Sequence, residues 1–181
     1  MVQHEIKQLA IVSGKGGTGK TTIAAAFASL AKNKVMVDCD VDAADLHLLL
    51  QPQILTQEKY FGGRSPHVDV EQCTRCGLCT EVCRFKAIDN GVVDPVSCEG
   101  CGFCGHICQE NAIMMEEAFS GDWFVSETIY GPFIHARLGI GEENSGKLVT
   151  VVRKKAVEIA MEKSLRPVSY THLTLPTIYS V

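Results

Sequence analysis

Two groups of residues in this chain of 181 have the types and the spacing to do chemistry. The first is Ser13-Gly14-Lys15-Gly16-Gly17-Thr18-Gly19-Lys20-Thr21-Thr22. Successive backbone N–H groups can turn inward around phosphate oxygens where no Cβ obstructs them, so glycines recur in such a loop. Gly14, four residues, then Gly19-Lys20-Thr21 is the phosphate-binding P-loop pattern. In it Lys20 brings charge to the β- and γ-phosphates, Thr21 brings a hydroxyl to Mg²⁺, and a following helix adds its N-terminal dipole. The second group is a pair of cysteine runs, Cys73, Cys76, Cys79, Cys83 and Cys98, Cys101, Cys104, Cys108. Closely spaced thiolates on one loop can grasp one face of an iron–sulfur cubane. A zinc site more often shows two separated pairs, without the third cysteine and without a repeat.

Asp38-Cys39-Asp40-Val41-Asp42 is a third candidate. Carboxylates at the C-terminal edge of an open α/β sheet can hold a Mg²⁺-bound water or orient an attacking water. Turn and helix-cap roles remain open for them, most plainly for Asp42. Cys39 reads as a small buried residue, not as a ninth ligand. His4, His47, His67, His106, His135 and His172 are scattered, so surface or core roles are expected of each.

The elements that must position these groups can be read in outline. Ile6 to Val12 is a short apolar run leading into the glycine-rich loop, and Ile23 to Ala31 is an alanine-rich helix with Ile23, Phe27 and Leu30 on one face. Val35 to Asp38 reads as a second, buried strand, and Asp42 to Leu50 as a short helix stopped near Pro52. From Cys73 to Cys108 the chain repeats itself: Val68-Asp69 maps onto Val93-Asp94, Gly77 onto Gly102, and Ala87-Ile88 onto Ala112-Ile113. Beyond the repeat, Trp123 to Thr128, Phe133 to Leu138 and Leu148 to Val152 are expected as strands, with turns at Gly131-Pro132 and Gly139 to Gly146. Arg153 to Leu165 is expected as an amphipathic helix.

Composition narrows the classes. A net charge of −4 and the lack of any Lys/Arg run give no electrostatic ground for nucleic acid as a partner. No stretch approaches the apolar length of a membrane span and the N-terminus lacks a signal-peptide pattern, so no membrane and a cytoplasmic location are expected. Nine cysteines, an odd number with eight tightly spaced, argue for metal binding over a secreted disulfide framework.

Lys15-Gly-Gly-Thr-Gly-Lys20-Thr-Thr resembles the deviant Walker A motif of the MinD/ParA and nitrogenase iron-protein superfamily, whose mark is an extra lysine early in the loop. The resemblance implies ATP with Mg²⁺ as ligand, held by Gly14, Lys15, Gly16, Gly17, Thr18, Gly19, Lys20, Thr21 and Thr22. It implies a homodimer formed on ATP binding in the full-length protein, with Lys15 reaching the partner's phosphates. It also places Asp40 in switch I as the water-positioning residue, with Asp38 nearer the metal. The cysteine runs are similar to those of bacterial two-cluster ferredoxins, in which the fourth cysteine of each run ligates the other cluster. That likeness implies two [4Fe–4S] clusters, cluster I on Cys73, Cys76, Cys79 and Cys108, and cluster II on Cys98, Cys101, Cys104 and Cys83. The proline usual after the fourth cysteine is replaced by Arg84 and Gln109, and the Arg84 charge would raise the potential of a nearby cluster.

Together these point to an α/β fold: a P-loop NTPase parallel sheet, incomplete here, with an inserted α+β ferredoxin-like module for two [4Fe–4S] clusters. The expected divisions are 1–61 (Walker A and switch I), 62–118 (the insert), 119–166 (return to the ATPase) and 167–181. The last segment resembles translated sequencing-adaptor DNA and is expected to stand outside the fold. The strand of switch II is then missing, which would leave the P-loop strand without a neighbour, the apolar face of helix 23–31 partly bare, and the chain poorly folded about its ATP site and inactive. For the full-length protein the leading expectation is ATP-dependent, low-potential electron transfer between a donor and an acceptor that the sequence does not name. An iron–sulfur or metal-cofactor assembly carrier is the alternative, and a MinD/ParA-type spatial organiser comes third.

Overall fold

The computed structural model describes residues 7–13, 18–139, 145–165 and 167–171. Its elements run β1 (Lys7–Ile11), α1 (Lys20–Leu30), β2 (Val35–Asp38), α2 (Leu46–Leu50), β3 (Gln53–Val68), α3 (Leu78–Val82), β4 (Ile88–Asp89), β5 (Val92–Val93), α4 (Phe103–Ile107), β6 (Ile113–Thr128), β7 (Gly131–Leu138), α5 (Ser145–Glu162) and β8 (Pro167–Thr171). The chain divides into two compact units: Met1–Lys59 with Gly121–Leu138 and Ser145–Val181, and Tyr60–Ser120 with Gly139–Asn144.

The strands of the larger sheet lie in the order β1-β8-β2-β7-β6-β3. From β1 to β7 they are parallel, and β6 pairs antiparallel with β7. All four residues of β2, Val-Met-Val-Asp, are buried, as expected of a parallel strand covered on both faces. Met36 joins Ala24, Ala28, Leu46, Leu50 and Phe133 in one cluster under α1 and α2. Val35 and Val37 point the other way by strand alternation, toward the side on which α5 packs against β2, β7 and β8. In α5 the buried residues Leu148, Val149, Val152, Ala156, Ile159 and Ala160 form a single stripe.

That stripe corrects one expectation. Leu148 to Val152 is not a strand but part of α5. A five-residue apolar run fits either period, and its continuation at helical spacing decides for helix. The helix expected over Asp42 to Leu50 shortens to α2: the amide of Ala43 donates to the Asp40 carbonyl at 3.2 Å, making a turn, and the N-cap is Asp45. Asp42 therefore does not cap it.

A larger correction concerns the segment after residue 166. Pro167–Thr171 does not stand outside the fold; it forms β8 between β1 and β2, parallel to both, with Val168 opposite Gln8 and Val35. The strand before the P-loop therefore has a neighbour. Val, Tyr and Thr favour extended backbone, and proline is tolerated as a strand's first residue. Residues 172–181 lie outside the described residues.

In α1 the buried positions are the small Ala24 and Ala28, while Ile23, Phe27 and Leu30 are exposed. Lys34 closes this helix. Its Nζ donates to the Ala31 and Tyr130 carbonyls, both at 2.8 Å, placing a cation at the helix C-terminus.

The second unit carries the repeat. Helices α3 and α4 pack together, each follows a left-handed glycine (Gly77 at φ 81°, Gly102 at φ 76°), and each ends at the fourth cysteine of its run. Left-handed residues recur at Arg75 and Gly100 and at Lys86 and Asn111. The Asp69 amide donates to the Ala112 carbonyl and the Asp94 amide to the Ala87 carbonyl, both at 2.8 Å, so each copy clasps the other. Ala87, Ile88, Ala112 and Ile113 are the buried apolar residues between them. Gly100 differs from its counterpart Arg75 for a steric reason: a Cβ there would sit 2.1 Å from the Arg64 carbonyl oxygen.

Candidate functional site

Gly14, Lys15, Gly16 and Gly17 lie outside the described residues. The rest of the phosphate loop is placed between β1 and α1. Gly19 has φ 84°, a conformation that costs an L side chain roughly 1–2 kcal/mol, and its carbonyl accepts from the Ile23 amide to start α1. Lys20 is the first residue of that helix, and its ammonium forms an ion pair with the carboxylate of Asp40. The side chains are 11 % and 21 % exposed, so the pair is shielded from solvent more than a surface salt bridge is. Thr21 is half-buried, while Thr18 and Thr22 are exposed.

Asp38, at the end of β2, is almost wholly buried. Its carboxylate accepts from the amides of Asp40 at 3.1 Å and Leu46 at 3.2 Å, which pins the turn from β2 to α2 and holds Asp40 facing Lys20. Cys39 is completely buried and its thiol is pushed up to about 12, first by burial and then by the Asp38 carboxylate. It is an inert core residue. Asp42 is exposed, and its carboxyl is raised by partial burial and by the neighbouring Asp40 charge. The structure thus joins Lys20 to Asp40 and binds Asp38 to backbone amides.

Surface or core roles are expected of the histidines, and two of them, His47 and His135, show something more particular. His135 in β7 lies between the rings of Phe124 (centroids 4.7 Å apart) and Phe133 (4.9 Å), and stacks with His47 of α2 at 5.7 Å. The Nδ1 atoms of both histidines are buried without a hydrogen-bond partner, as is the Ser126 hydroxyl. Burial first, then His47 and Arg137, lower the His135 pKa to about 4, so it is neutral at physiological pH. The signal in the sequence is weak: His135 sits in an apolar strand, where ring packing is all that the pattern suggests.

In the second unit the eight clustered cysteines are arranged around two cavities. Cys83, Cys98, Cys101 and Cys104 line one, together with apolar residues that include Val82, Phe85 and Phe103. Cys73, Cys76, Cys79 and Cys108 line the other. Each cavity therefore takes three cysteines from one run and the fourth from the other. Among the described residues, no three His, Cys, Asp or Glu side chains converge closely enough to share a single metal ion. The Ala87 amide donates to Cys83 Sγ and the Ala112 amide to Cys108 Sγ, both at 3.3 Å. The Cys83 thiol is lowered overall: burial raises it, but the amides of Ala87, Phe85, Ile88 and Lys86 outweigh burial. Cys104 is raised, first by burial, with the Cys98 and Cys101 thiols adding to the shift. Arg84 lies over the Phe85 ring at 4.7 Å from its centre and lines the first cavity.

Residues 9–170 match the CobQ/CobB/MinD/ParA nucleotide binding domain. The chain belongs to that family. It carries a nucleotide-binding P-loop domain. The chain is also similar to the uncharacterized protein MJ0578 of Methanocaldococcus jannaschii, with 37 % identity over 163 residues. That match takes in 87 % of this chain and 57 % of the relative, so the chain spans little more than half the relative's length. Among the described residues no helix is long and apolar enough to cross a membrane.

Proposed function

We propose that this family member is an ATP-binding iron–sulfur protein whose nucleotide state governs low-potential electron transfer through two [4Fe–4S] clusters. One observation supports the iron–sulfur part: two cavities, each lined in part by four cysteines, three from one run and one from the other. The donor set suits the group, being thiolates with backbone amides directed at sulfur. Cluster I would be held by Cys73, Cys76, Cys79 and Cys108, and cluster II by Cys98, Cys101, Cys104 and Cys83. Bound clusters supply one-electron chemistry. The chain's own part is to hold the thiolates, to aim the Ala87 and Ala112 amides at sulfur, and to set the Arg84 charge beside one cavity.

On the nucleotide side, Lys20 and the N-terminus of α1 would meet the phosphates of ATP, with Thr21 and a carboxylate of the β2–α2 turn holding Mg²⁺. Asp40, which pairs with Lys20, would orient a water once phosphate takes the lysine. In the full-length protein, Lys15 would reach across an ATP-dependent homodimer, and redox partners would donate to and accept from the clusters.

The test is a comparison of cluster midpoint potentials and electron-transfer rates in anaerobic full-length protein with MgATP and with MgADP. Different values in the two states are expected. Identical values would remove the coupling between nucleotide and electron transfer, and cluster loss to an apo-acceptor on ATP turnover would replace it with a carrier function.

A further inference from the structure

We propose that Asp69 and Asp94 are positioning residues for the two cysteine sets. Each carboxylate fixes the turn before the first cysteine of its own run, and each backbone amide ties that turn to the fourth cysteine of the other run. The inference rests on the iron–sulfur reading and deepens it by naming what holds each crossed set together.

The repeat matches more than cysteines, pairing Val68-Asp69 with Val93-Asp94 and Ala87-Ile88 with Ala112-Ile113. Hydrogen bonds give these pairs a role. Asp69 Oδ1 accepts from the amides of Glu71 at 2.9 Å and Gln72 at 3.4 Å, and the Asp69 carbonyl accepts from the Cys73 amide at 3.0 Å. In the other copy Asp94 Oδ1 accepts from the Val96 amide at 3.0 Å, and Oδ2 accepts from the Ser97 hydroxyl. Each short carboxylate thus stands in for a backbone acceptor in the turn that delivers the next cysteine, Cys73 or Cys98.

The same two residues reach the opposite run. Lys86 and Asn111, left-handed at φ 53° and 50°, turn the chain after Cys83 and Cys108, and the amide that follows each turn donates back to that cysteine's sulfur. Those amides belong to Ala87 and Ala112, both buried, whose carbonyls accept from the amides of Asp94 and Asp69. One buried alanine therefore links Cys83 to the turn before Cys98, and the other links Cys108 to the turn before Cys73. Cys83 and Cys98 line one cavity, and Cys108 and Cys73 line the other, so each link closes within a single set. Removing one carboxylate takes the acceptor from one turn only, and should loosen the set whose first cysteine that turn delivers.

The experiment exposes the anaerobically prepared chain to an iron chelator and an alkylating agent, and follows labelling of each cysteine by peptide mass spectrometry. Wild type, Asp94→Ala, Asp94→Asn and Asp69→Ala are compared. Asp94→Ala should speed labelling of Cys83, Cys98, Cys101 and Cys104 about tenfold, the effect of roughly one lost hydrogen bond. Cys73, Cys76, Cys79 and Cys108 should stay within about twofold of wild type. Asp69→Ala should give the reverse pattern. Asp94→Asn keeps an oxygen acceptor without the charge, and should label within about threefold of wild type. Equal acceleration at all eight cysteines would mean general loosening of the unit and would overturn the proposal, as would no acceleration at all. Acceleration of Cys108 in place of Cys83 in Asp94→Ala would overturn the tie through Ala87. Asp94→Asn behaving as Asp94→Ala would overturn the acceptor role. Wild type without acid-labile sulfide would overturn the iron–sulfur reading itself, and the inference falls with it.

Discussion

Replacing His135 by leucine should flatten the acid side of the protein's stability profile. His135 is 6 % exposed, lies between two phenylalanine rings, and has an unpartnered Nδ1. Its pKa falls from 6.5 in the unfolded chain to about 4 in the folded one. Because the folded value is the lower, the unfolded chain takes up a proton that the folded chain refuses. The stability is fully present above about pH 6.5 and is lost as the pH falls toward about 4. Each unit of difference is worth about 1.4 kcal/mol, so going from about pH 7.5 to about pH 5 removes roughly 2 kcal/mol through this one side chain. The chain has a single tryptophan, Trp123, next to Phe124 on β6, so fluorescence-detected urea unfolding reads the unit that contains His135. Wild type should lose roughly 2 kcal/mol more than His135→Leu over that interval. At neutral pH the variant should be no less stable by more than about 1 kcal/mol, since an unsatisfied buried nitrogen leaves with the ring. Parallel losses in the two proteins would refute the assignment of His135 as a buried neutral histidine.

Three further outcomes follow from other parts of the molecule. Asp38→Ala strands the amides of Asp40 and Leu46, and should cost about 3 kcal/mol in the same urea assay; a cost below about 1 kcal/mol would mean that the β2–α2 turn does not depend on that carboxylate. Gly100→Ala places a methyl against the Arg64 carbonyl at a left-handed position, and should destabilise the 60–120 unit by about 3 kcal/mol or more, read as faster amide exchange at Asp69 and Asp94; unchanged exchange would contradict the close approach. Cys83→Ser should lower the iron content of anaerobically prepared protein and Cys39→Ser should not, with Cys39 also resisting alkylation at neutral pH; equal iron loss in both would place a ligand outside the eight clustered cysteines.

The legible parts of the sequence were those in which one local rule acts alone. The glycines and Lys20 fit the P-loop pattern because backbone approach to phosphate demands them, and the apolar Val35-Met36-Val37 of β2 reads as a buried strand. The 25-residue repeat from Cys73 to Cys98 was visible in spacing, and the structure shows it again in paired left-handed residues and reciprocal hydrogen bonds. What stayed hidden depends on tertiary context. Leu148 to Val152 fits either period until α5 shows which face is buried. The long strand β3 gives almost no apolar alternation, because most of its residues are exposed. Pro167–Thr171 resembles translated adaptor DNA and so reads as foreign to the fold, yet its five residues extend between β1 and β2 and pair with both. The Lys20–Asp40 pair could not be read either, since twenty residues and a turn pinned by Asp38 separate its members.

Metal and sulfide analysis of anaerobically purified protein tests the central proposal most directly. About eight irons and about eight acid-labile sulfides per chain, with little zinc, are expected of two [4Fe–4S] clusters held by the crossed cysteine sets. Zinc in place of iron, or iron without labile sulfide, would contradict the proposal and leave a nucleotide-binding protein with a different metal module.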